Sequence, residues 1–220
     1  MCNRLNLQAD VSELTDSFGV SRVLFYYANQ RSLVPNESIA VIRTKENERT
    51  LDECRWGLMP FWAQDANRAD ISTVFEKRAF DHLIKRQRCV VPASSFDQVT
   101  VLSKKQEKVR RFVMPSRSTF GMAAVFDEWN GSFDEELRTC TILTRRVWNE
   151  ALGLEEQVPV ILNPEQIERW LSPDLFDKQL VQELVDSIEK PALRELPSAL
   201  WDRLWSEEEL EAVPARPGMI

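Results

Sequence analysis

The period of apolar and polar positions changes several times along the chain, and each change marks an element. In residues 10–18, DVSELTDSF, Val11, Leu14 and Phe18 recur at helical spacing behind Asp10 or Ser12 as N-cap, which predicts a short helix. Residues 23–27 (VLFYY) and 39–43 (IAVIR) read as strands, with Pro35-Asn36 as the turn between them. Residues 51–62 hold Trp56 and Trp62 around Gly57 and Pro60, a pattern no regular helix accommodates, so a strand running into an aromatic-lined loop is expected. Residues 74–87 suit one helix, with His82 on its surface. Cys89-Val90-Val91-Pro92-Ala93 reads as a buried strand that continues into Ser94-Ser95-Phe96-Asp97-Gln98.

Further strands are expected at 110–114, 120–126, 139–144 and 158–162. Asn163-Pro164-Glu165 opens a helix through Leu171, with Asn163 as N-cap and proline at the first position. A second helix is expected over 174–188, with Leu175, Leu180, Leu184 and Ile188 on one side. The acidic tail from Leu200 reads as peripheral. Many strands around a few helices predict an α+β fold with a mainly antiparallel, barrel-like sheet. With no internal repeat or low-complexity linker, residues 1–220 are expected to form a single domain.

Composition narrows the functional classes. Hydrophobic residues make up 43% and charged residues 29%, ordinary for a globular chain. No apolar run approaches a membrane span, and the first twenty residues lack signal-peptide regions, so the expected setting is cytoplasmic, away from membranes. Cys2, Cys54, Cys89 and Cys140 form no C-x-x-C pair, and His82 is the one histidine, so no metal site is expected. Net charge is −7, but the stretch from residue 147 on is strongly acidic while the part before it is slightly basic. Basic clusters occur at 85–88 and 104–111. The second reads as a solvated hairpin tip; a groove made by other cations remains able to hold phosphates.

Candidate chemistry starts at Met1-Cys2-Asn3-Arg4. On the first two residues alone, Cys2 is simplest as a small apolar residue at a chance start. Removal of the methionine would instead give one residue an α-amine, with a reference pKa of roughly 7.7–8.0, beside a thiol near roughly 8.5. Such a 1,2-aminothiol condenses with an aldehyde to an imine and closes to a thiazolidine. Trp56 reads as a core anchor, whereas Trp62 reads equally as an anchor and as a platform for an unpaired base.

Six segments in order resemble the SOS-response-associated peptidase (SRAP) family. They are Met1-Cys2-x-Arg4, Arg55-Trp56-Gly57-Leu58-Met59-Pro60-x-Trp62, Phe75-Glu76-Lys77-x-Ala79-Phe80, Arg88-Cys89-Val90-Val91-Pro92-Ala93-x-x-Phe96, Thr141-Ile142-Leu143-Thr144, and Val158-Pro159-Val160-Ile161-Leu162-x-Pro164-Glu165 running to Arg169-Trp170-Leu171. The resemblance covers residues 1–171, leaving 172–220 as a helical, acidic part of the same domain. It implies a protein of the DNA damage response. It further implies that Cys2, freed by peptidase-type removal of Met1, captures the ring-opened sugar aldehyde of an abasic site in single-stranded DNA as a thiazolidine crosslink.

Departures from the family pattern bear on the site. Arg68 stands where the family places an asparagine, and a one-residue slip would bring in Asn67. Gln98 replaces the family's catalytic glutamate, and Glu155 replaces its histidine. Gln98 keeps the size and hydrogen bonding of glutamate without its proton. The carboxylate has either moved across the pocket to Glu155, or the site has decayed. The resemblance therefore implies Cys2, Gln98 and Glu155 as catalytic positions and Arg4, Asn67, Arg68 and Trp62 as DNA contacts, in a monomer that needs no cofactor. The rival expectation is a degenerate, phage-related member that only binds DNA or a protein partner.

Overall fold

A computed structural model describes residues 2–25, 30–58, 68–103, 106–116, 118–130, 136–150 and 153–201. The chain opens with strand β1 (Cys2–Leu7). Asp10 accepts from the Glu13 amide at 2.7 Å and starts helix α1 (Val11–Phe18), which Gly19 ends at φ 64° in the left-handed region. Leu14 and Phe18 are buried, while Val11 sits at the exposed edge of that face. Strands β2 (Arg22–Val23), β3 (Gln30–Leu33), β4 (Ser38–Lys45) and β5 (Glu48–Trp56) follow. Of the strand expected at 23–27, β2 is what forms, in parallel with β5; residues 26 and 27 lie outside the described residues.

The helix expected over 74–87 is broken. Strand β6 (Arg68–Asp70) runs into helix α2 (Ile71–Val74), then a 3-10 turn at Arg78–Phe80 and helix α3 (Asp81–Arg86). A continuous helix would bring Lys77 and Arg78 onto the buried Val74 face. Lys77 takes an extended conformation instead, leaving both cations exposed while Phe80, Leu83 and Ile84 are buried.

Strand β7 (Arg88–Ala93) bends at Ser94 into β8 (Ser95–Ser103), followed by β9 (Gln106–Val113), β10 (Phe120–Asn130) and β11 (Glu136–Asn149). The strand expected over 158–162 splits at Val160 into β12 (Leu154–Pro159), paired with β11, and β13 (Ile161–Leu162), paired with β10. Helix α4 (Pro164–Leu171) starts with a reciprocal capping box between Asn163 and Gln166. Helix α5 (Lys178–Asp186) begins only at the Asp177 cap. Leu184 and Ile188 are buried as expected and Leu175 packs against the same core, but Val181 and Val185 join them while Leu180 is 50% exposed. Strand β14 (Arg194–Leu196) closes the described fold.

Strands β11, β10, β7, β4 and β5 are hydrogen-bonded in that order, and β5 returns to β11 through a parallel pair at Thr139↔Arg55 and Cys140↔Trp56. Five strands thus close into a ring-like sheet, mainly antiparallel, within the α+β class expected. One set of alternate residues, including Val41, Trp56, Val91, Met122 and Ile142, packs together; the other, including Ile42, Leu51, Val90 and Ala123, packs on the helices. Both faces of β7 are therefore covered, and all six of its residues are buried.

A second sheet, in the order β14-β9-β8-β1-β3, lays its row Leu5–Phe96–Phe112 against the first of these sets. The Phe96 and Phe112 rings stack with centroids 5.2 Å apart. Among the described residues no helix is long and apolar enough to cross a membrane.

Candidate active site

The site grows from an irregularity in β1. Arg4 pairs with Asp97 and Leu5 with Phe96, so an unbroken antiparallel register would set Cys2 opposite Val99. It lies opposite Gln98 instead, because the register shifts between Cys2 and Arg4. Asn3 is the extra residue of a β-bulge, the device by which a strand end is re-aimed. Gln98 in turn lies opposite Arg110 on β9, so Cys2, Gln98 and Arg110 form one row across three strands. The neighbouring row, Arg4–Asp97–Arg111, belongs to the other face of the sheet.

Gln98 is buried, at 3% exposure. Its Oε1 accepts from Arg110 Nη1 at 3.5 Å, and its Nε2 donates to the Gln157 carbonyl at 3.4 Å, tying β8 to β12. Arg110 lies over the Phe112 ring and carries two carboxylates. Its Nη1 donates to Glu156 Oε1 at 2.5 Å, and its Nε donates to Glu195 Oε2 at 2.9 Å. The second Glu156 oxygen accepts from Asn149 Nδ2 at 2.6 Å. The Glu156 side chain is 9% exposed. Arg110 and Arg111 are thus not part of a solvated hairpin tip. They lie in the body of β9, Arg111 gripping Asp97 with Nε and Nη2 at 2.7 and 2.8 Å. Residues 104 and 105 lie outside the described residues.

Glu155 is placed differently from its neighbour. It is exposed, opposite Trp148, itself 58% exposed. Successive strand residues face opposite sides, so Glu156, not Glu155, shares the side of buried Val158 and reaches Arg110. That alternation, counted back from Val158, is the sequence signal that would have found Glu156. No comparable local signal marks Arg110 or Asn149.

Beyond Gln157 lies a second polar group. Gln157 Nε2 donates to Asp70 Oδ2 at 3.4 Å, and Arg146 Nε donates to the same oxygen at 3.0 Å. Burial pushes the Asp70 carboxyl up, but hydrogen bonds from the Ser72 hydroxyl and amide and from Arg146 outweigh it and hold it below its ordinary value. Arg68, half-buried, begins the same strand opposite Ile142. Asn67 and Trp62 lie outside the described residues.

The other three cysteines are buried among the apolar residues that pack together between the two sheets. A hydrogen bond with Cys54, together with burial, pushes the Cys140 thiol well up; burial and the neighbouring Cys54 do the same to Cys89. Protonated and enclosed, those two have little nucleophilic form. Among the described residues, no three potential metal-binding side chains come together.

Fold and site define an α+β protein that builds its N-terminal strand, by a bulge, into a polar row beside a guanidinium–carboxylate pair. The chain belongs to the SOS response associated peptidase (SRAP) family, whose pattern matches residues 1–198, past the point where the recognisable motifs stop. It is 28% identical over 193 residues to the abasic site processing protein YoqW of Bacillus subtilis, covering 84% of this chain and 86% of that one. It is 28% identical over 195 residues to YoaM of the same organism, likewise an abasic site processing protein, with 84% and 85% covered. Among solved structures, a phage-related protein of Bordetella bronchiseptica superposes with a TM-score of 0.71 at 14% identity, over 89% of this chain and 94% of that one. A second protein of that organism gives a TM-score of 0.70 at 18% identity, covering 89% and 100%.

Proposed function

We propose that this protein captures abasic sites in single-stranded DNA through Cys2, after removal of Met1. The observation that carries the reading is the bulge at Asn3, which sets Cys2 in register with Gln98 at the head of the row leading to Arg110 and Glu156. Kinship with abasic site processing proteins supports the substrate. The α-amine of Cys2 adds to the aldehyde carbon of the opened sugar, the carbonyl electron pair moves to oxygen, and the carbinolamine loses water to give an iminium. The Cys2 sulfur then adds to the iminium carbon, its proton leaves, and a thiazolidine closes. Amine, thiol and aldehyde become one ring and one water, with no oxidant or metal in the balance. Gln98 is suited to orient the amine by hydrogen bonding, Arg68 to hold a phosphate of the strand, and Arg4, on the other face of the sheet but two residues from Cys2, to hold one where the strand passes the end of β1.

The test is the intact mass of the purified protein before and after mixing with single-stranded DNA containing one abasic site. The expected result is loss of Met1 and a gain equal to the DNA minus one water, absent in Cys2→Ala. A heat-stable adduct persisting in Cys2→Ala would move the chemistry to another residue. Two observations favour a second reading, a member that binds DNA without coupling to it: Gln98 cannot carry a proton, and Glu155 faces outward. Salt-sensitive binding with no mass gain would select it.

A further inference from the structure

The proposed reaction needs a group that accepts a proton from the Cys2 ammonium and returns one to the carbinolamine oxygen. Gln98, in the row beside Cys2, can do neither. Among the described residues, five carboxylates come near that row. Asp70, reached through the Gln157 side chain, is taken up by the Ser72 amide and hydroxyl and by Arg146. Asp97 belongs to the other face of β8 and is held by Arg111. Glu155 is exposed opposite Trp148. Glu195 is half-exposed at the outer end of Arg110, on β14. Glu156 is enclosed, on the strand that Gln98 touches through the Gln157 carbonyl.

Resting on that reading of Cys2, we propose that Glu156, clamped by Arg110 and Asn149, is the proton-transfer carboxylate of this site. A carboxylate offers about four lone-pair positions on its two oxygens. Arg110 takes one on Oε1 and Asn149 one on Oε2, which fixes the group and leaves a position on each oxygen for a proton. Arg110 alone matches one of the two carboxylates it binds, so Glu156, Arg110 and Glu195 together carry one negative charge. Such a cluster favours the cationic iminium over the neutral carbinolamine. Gln98, between Cys2 and Arg110 in the row, positions the amine and carries no proton.

The experiment follows thiazolidine formation by intact mass under single-turnover conditions, from pH 5.5 to 8.5, in two arms: abasic single-stranded DNA and acetaldehyde. Wild type is compared with Glu156→Gln, Glu156→Asp and Glu155→Gln, with melting temperature and DNA affinity measured for each. A positioned acid or base contributes about 10²–10⁴-fold, so Glu156→Gln should slow ring formation within that range in both arms. Glu156→Asp should recover part of the rate, and Glu155→Gln should match wild type. The proposal is overturned if Glu156→Gln keeps the wild-type rate, if Glu155→Gln slows as much, or if Glu156→Asp is as slow as Glu156→Gln at equal melting temperature. Wild type reacting with acetaldehyde but not with DNA refutes the abasic-site reading, while the acetaldehyde arm still decides Glu156. Reaction with neither overturns both.

Discussion

Replacing Asp52 by Asn should destabilise the protein far more than the same change at a carboxylate whose partner is exposed. Asp52 lies on β5, 2% exposed, between two arginines from other strands of the ring. Arg43 on β4 reaches Oδ2 from Nε at 2.9 Å and from Nη2 at 2.8 Å, and Arg138 on β11 pairs with Oδ1. Arg43 also bonds Glu128 on β10 at 2.5 Å. One carboxylate therefore links strands on both sides of the parallel β5–β11 pair that closes the ring. Removing one partner of a buried ion pair costs about 3–5 kcal/mol because the charge left behind stays desolvated. Arg43 keeps Glu128 and Arg138 keeps Glu136, which places Asp52→Asn near the lower end, about 3 kcal/mol. For a domain of this size each kcal/mol moves the melting temperature by about 2–4 °C, so the loss should be about 6–12 °C.

The pH dependence of that difference supplies a second check. Burial pushes the Asp52 carboxyl up, but the Glu53 amide and the charges of Arg43 and Arg138 outweigh it and hold it below its ordinary value of 3.8. A folded pKa below the unfolded one means stabilisation that is complete above the unfolded value and lost as pH falls through the folded value. Urea unfolding of wild type and Asp52→Asn should therefore show their widest gap near neutral pH, narrowing below about pH 4. Glu48→Gln is the internal comparison: Glu48 and its partner Arg22 have side chains 54% and 55% exposed, so the change should cost under about 1 kcal/mol. Equal losses for the two variants, or a gap that stays constant below about pH 4, would mean that the buried Asp52 carboxylate does not stabilise the ring through its arginines.

Three further outcomes are expected. Cys2→Ala should abolish the heat-stable adduct yet leave the dissociation constant for abasic single-stranded DNA within about threefold, because one small side chain adds little contact area; a filter-binding titration beside a denaturing gel measures both. Affinity for single-stranded DNA should fall steeply with salt, and Arg4→Ala or Arg68→Ala should each lower the slope of log affinity against log salt by about 0.7; equal slopes in all three proteins would argue against phosphate contacts there. Gly121→Ala should destabilise by about 1–3 kcal/mol in thermal melts, because its Cβ would meet Val90 Cγ1 at 2.6 Å and Phe18 Cε1 at 3.1 Å.

The features legible in the order of residues are local ones. Asp10 and Asn163 announce their helices because a capping side chain needs only the backbone amides that follow it. The unbroken apolar run of β7 declares a strand covered on both faces, and Trp56 declares an anchor. Six ordered motifs carry the family. Of the face expected for α5 only Leu180 turns outward, with Val181 and Val185 turned in, and one expected helix is α2, a turn and α3 because Lys77 and Arg78 have no solvent on the face a single helix would give them.

Register, by contrast, is settled by strands that pair across the whole chain. Ring closure joins residues 55 and 139, and the Cys2 row joins residues 2, 98 and 110, with nothing nearby in sequence to fix either pairing. A strand's side-chain period is two, so a shift of one residue exchanges its faces. The bulge at Asn3 makes such a shift and sets Cys2 opposite Gln98 instead of Val99. The facing of β12 likewise chooses Glu156 over Glu155, and the pairing of β9 turns Arg110 from one basic residue in a cluster into the cation that holds Glu156. Side-chain type can be read from one position, but which side chains meet is set by strands paired across the whole chain.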